Sequence, residues 1–138
     1  MKPVASGTDP RNVFAAVPFM RLLGVRREFS EGGRARIVLD ERAELGNVVG
    51  TVHGGVLMTL LDVAMASAAV SHRDFSCTAV SLNVDSSFLA PARGQLTADG
   101  EVLEHEDDDL VLCRATITDP HGVVVAQGLG SFRYIPSP

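Results

Sequence analysis

The chain is poor in cysteine, has no cluster of positive charge, and lacks any apolar run long enough to cross a bilayer. Each shortage removes a class of protein. Its two cysteines, Cys77 and Cys113, show neither metal-ligand spacing nor a disulfide framework, so they read as buried free thiols in a reducing compartment. Net charge is −5 and no stretch is rich in Lys or Arg, which argues against a nucleic-acid reader. A polyanionic ligand would need local arginines. The longest apolar stretch, Val56 to Val70, is about 15 residues against the roughly 20 that a membrane span needs. It also carries Asp62 near its centre, so it is read as the buried helix of a soluble protein with no membrane partner. The opening "MKPVASGTDPRNVF" has no apolar stretch behind Lys2, unlike a secretory signal, and a cytoplasmic location is expected.

What is present points to one globular domain. An apolar fraction of 46% over 138 residues is enough for a substantial core, and no repeat, low-complexity tract or linker interrupts it. The domain is expected to fill residues 1–138, with residues 1–10 as a flexible tail. "NVFAAVPFMRLLG" reads as a short helical entry, broken by Pro18 and stopped at Gly24. "VRREFS" and "RARIVLD" flank the turn signal "EGG" and predict a hairpin. Gly54 to about Ser71 predicts one helix, rich in Leu, Met and Ala and apolar nearly all round, hence buried on most sides. Strands are expected at 77–89, 95–105, 110–118 and 123–135, joined by short turns such as "PARG" and "DPHG". Long strands with short connections imply an antiparallel sheet, and one buried helix against it gives an α+β architecture.

Two features of the helix carry chemistry. "HGG" at residues 53–55 opens it, where the first backbone N–H groups lack internal partners and the helix dipole is positive. Glycines there let a ligand oxygen approach those groups closely, as an oxyanion site requires; a tight turn needing glycine is the plainer reading. Asp62, the one acid in the apolar run, is either satisfied in the core by Thr59 or a backbone donor, or marks a functional site. His53 and Asp62 are separated by nine residues, about 180° of rotation and 13 Å of rise along one helix. One substrate cannot easily touch both ends of that stretch from the same chain. If they form one site, the acid comes from a second copy in a symmetric dimer.

Asn47, Gly50, His53-Gly54-Gly55 and Asp62, followed by "AVSLNVDSSFLAPARG", resemble the hotdog-fold acyl-CoA thioesterases of the phenylacetate-degradation (PaaI-like) group. The resemblance covers nearly all of the chain after about residue 18. It implies an antiparallel sheet wrapped around one long central helix, and homodimers or homotetramers with sites at the subunit interface. It further implies hydrolysis of an aryl- or medium-chain acyl-CoA. The Gly54 N–H of one subunit would polarise the thioester carbonyl, and Asp62 of the other would act as general base or as nucleophile. Asn47 would position the water or the carbonyl. His53 is expected to hold the Asn47 loop and the turn rather than act as a base. Ser81 either hydrogen-bonds the water or Asp62, or is an ordinary strand residue.

Substrate contacts are expected from Gly55, from Met58, Leu61 and Met65 along the acyl pocket, and from Arg93 toward the coenzyme A phosphates. Arg26 and Arg27 are weaker candidates for the phosphates. No metal and no cofactor is expected, coenzyme A being part of the substrate. His72 should end the helix, His121 belongs to a turn, and His105 to the acidic tip "LEHEDDD". Since one fold hosts several functions, the alternatives are a non-catalytic acyl-CoA binding protein or another hotdog enzyme such as a dehydratase.

Overall fold

The computed structural model describes residue 3, residues 9–105 and residues 109–138. The expected tail over residues 1–10 falls largely outside them, as do residues 106–108 of the acidic tip and the side chain of His105. Within them, Asp9 caps a 3-10 turn, Pro10–Ala16, its carboxylate accepting the Arg11 N–H. A short helix, α1 (Pro18–Leu23), starts on its proline and ends at Gly24, whose φ of 74° suits the left-handed cap that glycine adopts without strain. The predicted hairpin is β1 (Arg26–Glu31) and β2 (Arg34–Leu39), turning through Gly32 and Gly33.

The central helix, α2, spans Gly54–His72. Four strands follow: β3 (Thr78–Phe88), β4 (Leu96–His105), β5 (Leu110–Thr118) and β6 (Val124–Ile135). All pairs are antiparallel, and the sheet runs β1-β2-β4-β5-β6-β3. The inner residues of β5 and β6 are small or apolar at every second position, Val111, Cys113, Ala115 and Ile117 facing the core beside Ala126, Phe132 and Tyr134. On the helix, Leu57, Leu60, Leu61, Ala64, Met65, Ala68 and Ala69 fill that concave face. Burying each large aliphatic side chain contributes about 1.5–3 kcal/mol, which is what keeps so apolar a helix inside.

Close approach is built into the sheet. A Cβ on Gly100 in β4 would collide with the backbone carbonyl of Ala64, so the sheet reaches the helix backbone only because that position is glycine. Polar ties fix the far end of the helix. Tyr134 donates its hydroxyl hydrogen to the Ala69 carbonyl at 2.7 Å, and Ser30 donates to the Ser67 carbonyl at 2.8 Å.

One expectation needs correction. The helix is not covered on most sides: Gly55 and Met58 are exposed, and Thr59, Asp62, Val63, Ala66 and Val70 are only half-buried. These positions recur every three or four residues, so they form a single open stripe along α2. Although its apolar run reads as too short for a bilayer in the sequence, the whole of α2 is, by length and composition alone, the one helix among the described residues long and apolar enough to cross one, yet its other face is the centre of this core.

Candidate active site

The loop before α2 is held by its own side chains. The Asn47 Oδ1 accepts the N–H groups of Val49 (3.1 Å) and Thr51 (3.0 Å), and its Nδ2 donates to the Thr51 Oγ1 at 2.7 Å. Gly50 turns the chain at φ 78°, and Arg93 donates to its carbonyl at 2.8 Å. The His53 N–H then bonds the Leu45 carbonyl, fixing where the helix starts.

His53 is the N-cap, with its Nδ1 accepting the Gly55 N–H at 2.9 Å. Its carbonyl takes the N–H groups of Val56 and Leu57. Among the described residues this leaves the Gly54 N–H without a partner. Gly54 lines a cavity of about 420 Å³ together with Asn47, Leu57, Phe88 and Pro91. Neither Gly54 nor Gly55 has a positive φ, so the glycines do not serve a strained turn; they keep the helix end bare. A helix N-terminus with one free N–H facing a cavity can stabilise a developing oxyanion.

Asp62 lies on the open stripe of α2, half-buried, and accepts a hydrogen bond from the Ser81 hydroxyl at 2.5 Å. Thr59, the alternative partner considered from sequence, instead donates to the Gly55 carbonyl. Ser81 faces inward in register with Ala79, and just after it the pairing with β6 shifts between Ser81 and Asn83, leaving Leu82 as the extra residue and turning Val84, Ser86 and Phe88 to the same face. Ala79, Ser81, Val84, Ser86 and Phe88 thereby pair with inward-facing residues of β6 and line the course of α2. The Ser86 hydroxyl on this face is buried without a hydrogen-bond partner. Asp62 Oδ2 has no partner among the described residues and remains available to a water or a substrate atom.

The two halves do not meet within one protomer. Eight residues of regular helix separate Gly54 from Asp62, about 12 Å of rise. A carbonyl held by the Gly54 N–H is out of reach of the same chain's carboxylate.

Other expected site residues fall as follows. The Gly55 N–H is taken by His53, so what Gly55 offers a ligand is its missing side chain. Asn47 has one amide hydrogen left after organising its loop. Leu61 and Met65 are fully buried, facing Gly128 and Gly130 of β6, and do not line the cavity at Gly54. Met58 is exposed. Arg93 is exposed beside the loop, and Arg26 pairs with Asp40 at 3.0 Å. His121 sits in a turn whose backbone Asp119 caps, and His72 ends α2. Both cysteines are free, but only Cys113 is buried, which pushes its thiol up to about 12; Cys77 is half-buried.

Sequence reasoning missed a mainly apolar cavity of about 450 Å³ that begins at Val63, the residue after Asp62. It lies over the open stripe, on Val63, Ala66 and Val70, and is roofed by Phe14, Phe75 and Arg27. Ala66 is one turn beyond Asp62, and Ala79, also in its wall, is two residues before Ser81 on the same side of β3. The i, i+3, i+4, i+7 spacing of Val63, Ala66, Ser67 and Val70 was the only signal in the sequence.

The thioesterase superfamily model matches residues 49–126, from the end of the Asn47 loop into β6. A Halobacterium salinarum protein provisionally named an esterase is 31% identical over 124 residues, which is 83% of this chain and 82% of that protein. The Escherichia coli PaaI protein, from the phenylacetic acid degradation operon, is 26% identical with a TM-score of 0.78, covering 86% of this chain and 85% of its own. A conserved Pseudomonas aeruginosa protein gives 27% and 0.80, over 86% of this chain and 94% of that one. The sheet wrapped on one helix, the bare helix end and these matches agree: the chain belongs to the thioesterase superfamily, as a hotdog-fold member.

Proposed function

We propose that the protein hydrolyses an acyl-CoA thioester to the free acid and coenzyme A, at sites shared between two protomers. The observation that carries this reading is the separation just described. A free helix-terminal N–H and a serine-held carboxylate are both present, about 12 Å apart along one helix, so each needs its complement from a second chain.

The Gly54 N–H would receive the negative charge that develops on the thioester oxygen. Asp62 of the other protomer would take a proton from water as the water attacks the carbonyl carbon, or attack that carbon itself. In either route the C–S bond breaks and coenzyme A leaves as its thiolate; in the second, water then hydrolyses the acyl-Asp62 anhydride, releasing the acid and restoring the carboxylate. Ser81 holds the carboxylate in place, and Asn47 and His53 hold the loop and helix end. Arg93, exposed next to the Asn47 loop, suits a coenzyme A phosphate at the entrance.

Pairing of protomers is supported by strand β3, which ends the sheet. It exposes Val80 and Leu82, and β6 exposes the neighbouring Leu129. An edge strand of eleven residues with exposed Val80 and Leu82 invites a second strand. Similarity to the PaaI protein, which comes from a phenylacetic acid degradation operon, favours an aryl acyl group, with a medium-chain acyl group as the alternative the sequence resemblance implies.

The test is release of free thiol from phenylacetyl-, hydroxybenzoyl-, hexanoyl- and dodecanoyl-CoA. Turnover is expected on at least one. Stoichiometric binding of all four with no thiol released would replace this reading with that of an acyl-CoA binding protein.

A further inference from the structure

The cavity that starts at Val63, the residue after Asp62, is walled mainly by apolar side chains, with Ser67, Thr78 and Ser137 among them and Arg27 as its one cationic lining residue. Arg27 lines it, half-buried, with its guanidinium 5.2 Å from the centre of the Phe14 ring and 5.5 Å from that of Phe75. One guanidinium nitrogen donates to the Arg11 carbonyl. No carboxylate among the described residues lies within ion-pair distance of it. Arg26 has Asp40, Arg36 has Asp99 and Arg114 has Glu101, whereas Arg42 and Arg93, like Arg27, bond backbone carbonyls; what sets Arg27 apart is its place in the cavity wall between two aromatic residues.

The position is strongly determined. Phe14 comes from the first 3-10 turn, Arg27 from β1, and Phe75 from a sharp turn after α2 in which Asp74 and Phe75 both take positive φ, 51° and 60°. That backbone is costly for a bulky side chain, and it brings the Phe75 ring against Arg27. Removal from water lowers the Arg27 pKa, and among the described residues no carboxylate forms an ion pair with it to offset that cost. A cation held between two aromatic rings in an apolar chamber has donors to spare for a planar anion.

We propose that this cavity takes the acyl group and that Arg27 selects acyl groups ending in a carboxylate, that is, monothioesters of dicarboxylic acids. The proposal rests on the thioesterase reading for the placement of the reacting carbonyl near Asp62. From there the chamber follows α2 from Val63 to Val70, about 10 Å of helix, before its end. Coenzyme A phosphates are a poorer match for Arg27, because a strongly hydrated polyanion gains nothing from the apolar walls.

The experiment compares adipoyl-CoA with hexanoyl-CoA, a pair differing only at the far end, in the wild type, Arg27→Met and Arg27→Lys. The wild type is expected to favour adipoyl-CoA in kcat/KM by about tenfold or more. Arg27→Met should erase that preference, and Arg27→Lys should keep part of it. A wild type that favours hexanoyl-CoA or treats both alike, or a ratio unchanged in Arg27→Met, overturns the proposal. Calorimetric binding of the same two thioesters separates it from the reaction itself. Without any turnover, tighter binding of adipoyl-CoA that disappears in Arg27→Met still supports the selection, and equal binding overturns it.

Discussion

Asp62→Asn is expected to lower kcat for acyl-CoA hydrolysis by at least about a hundredfold, the lower end of what a positioned base contributes. The substitution is nearly isosteric. The asparagine Oδ1 can still accept the Ser81 hydroxyl bond, so the helix, the strand and their contact are preserved. What disappears is the basic and nucleophilic oxygen, the Oδ2 left free on the open stripe of α2. Substrate binding should change little, because the carboxylate is assigned to bond-making and not to holding the acyl group or the coenzyme. Measured by thiol release, the loss should therefore appear in kcat far more than in KM. Turnover unaffected by the change would leave a thioesterase whose base lies elsewhere.

Gly54→Pro is expected to cost a comparable factor, about 10²–10³ in kcat, for a different reason: it deletes the one unpartnered N–H at the helix start. Proline is well suited to that position. Gly54 is the first helical residue, where a missing N–H breaks no helix bond, and His53 before it has the extended backbone (φ −62°, ψ 138°) that precedes proline readily. The fold should persist, with little change in melting temperature. Gly54→Ala provides the contrast. It keeps the N–H and adds only a methyl group in ordinary contact with the Phe88 ring at 3.7 Å, so its effect should be far smaller. Equal losses in the two variants would mean that glycine is needed for space, and would remove the N–H from the account.

Much of this was legible in the residues. Each strand expected after the helix lies within one residue of its observed end, because long alternating segments bounded by glycine and proline turns leave few other solutions. The helix start was equally legible, since glycines after a capping residue expose a helix end. Its faces were not. A helix apolar nearly all round gives no phase, so Leu61 and Met65 looked as suitable for a pocket as Val63 and Ala66, and only the sheet decides between them.

Directly after Ser81, which bonds Asp62, a one-residue irregularity in β3 reverses which side chains face inward, and no composition rule marks it. The Arg27 chamber was hidden more deeply. Its walls come from the first turn, β1, α2, β3 and the turn between the last two, and no local pattern records that they meet. Asn47 shows the opposite limit: its place in the motif was visible, but its use in closing its own loop was not.

The claim that each site is built by two chains is tested most directly by mixing the two damaged proteins. Asp62→Asn and Gly54→Pro, each nearly inactive alone, would be combined by refolding equal amounts together. In a mixed dimer one site has both lesions, and the other pairs an intact Gly54 N–H from one chain with an intact Asp62 from its partner. Random pairing should thus restore about a quarter of the wild-type activity per chain in a symmetric two-site dimer. A mixture that stays as inactive as its components, with mixed dimers shown to form, would contradict the shared site.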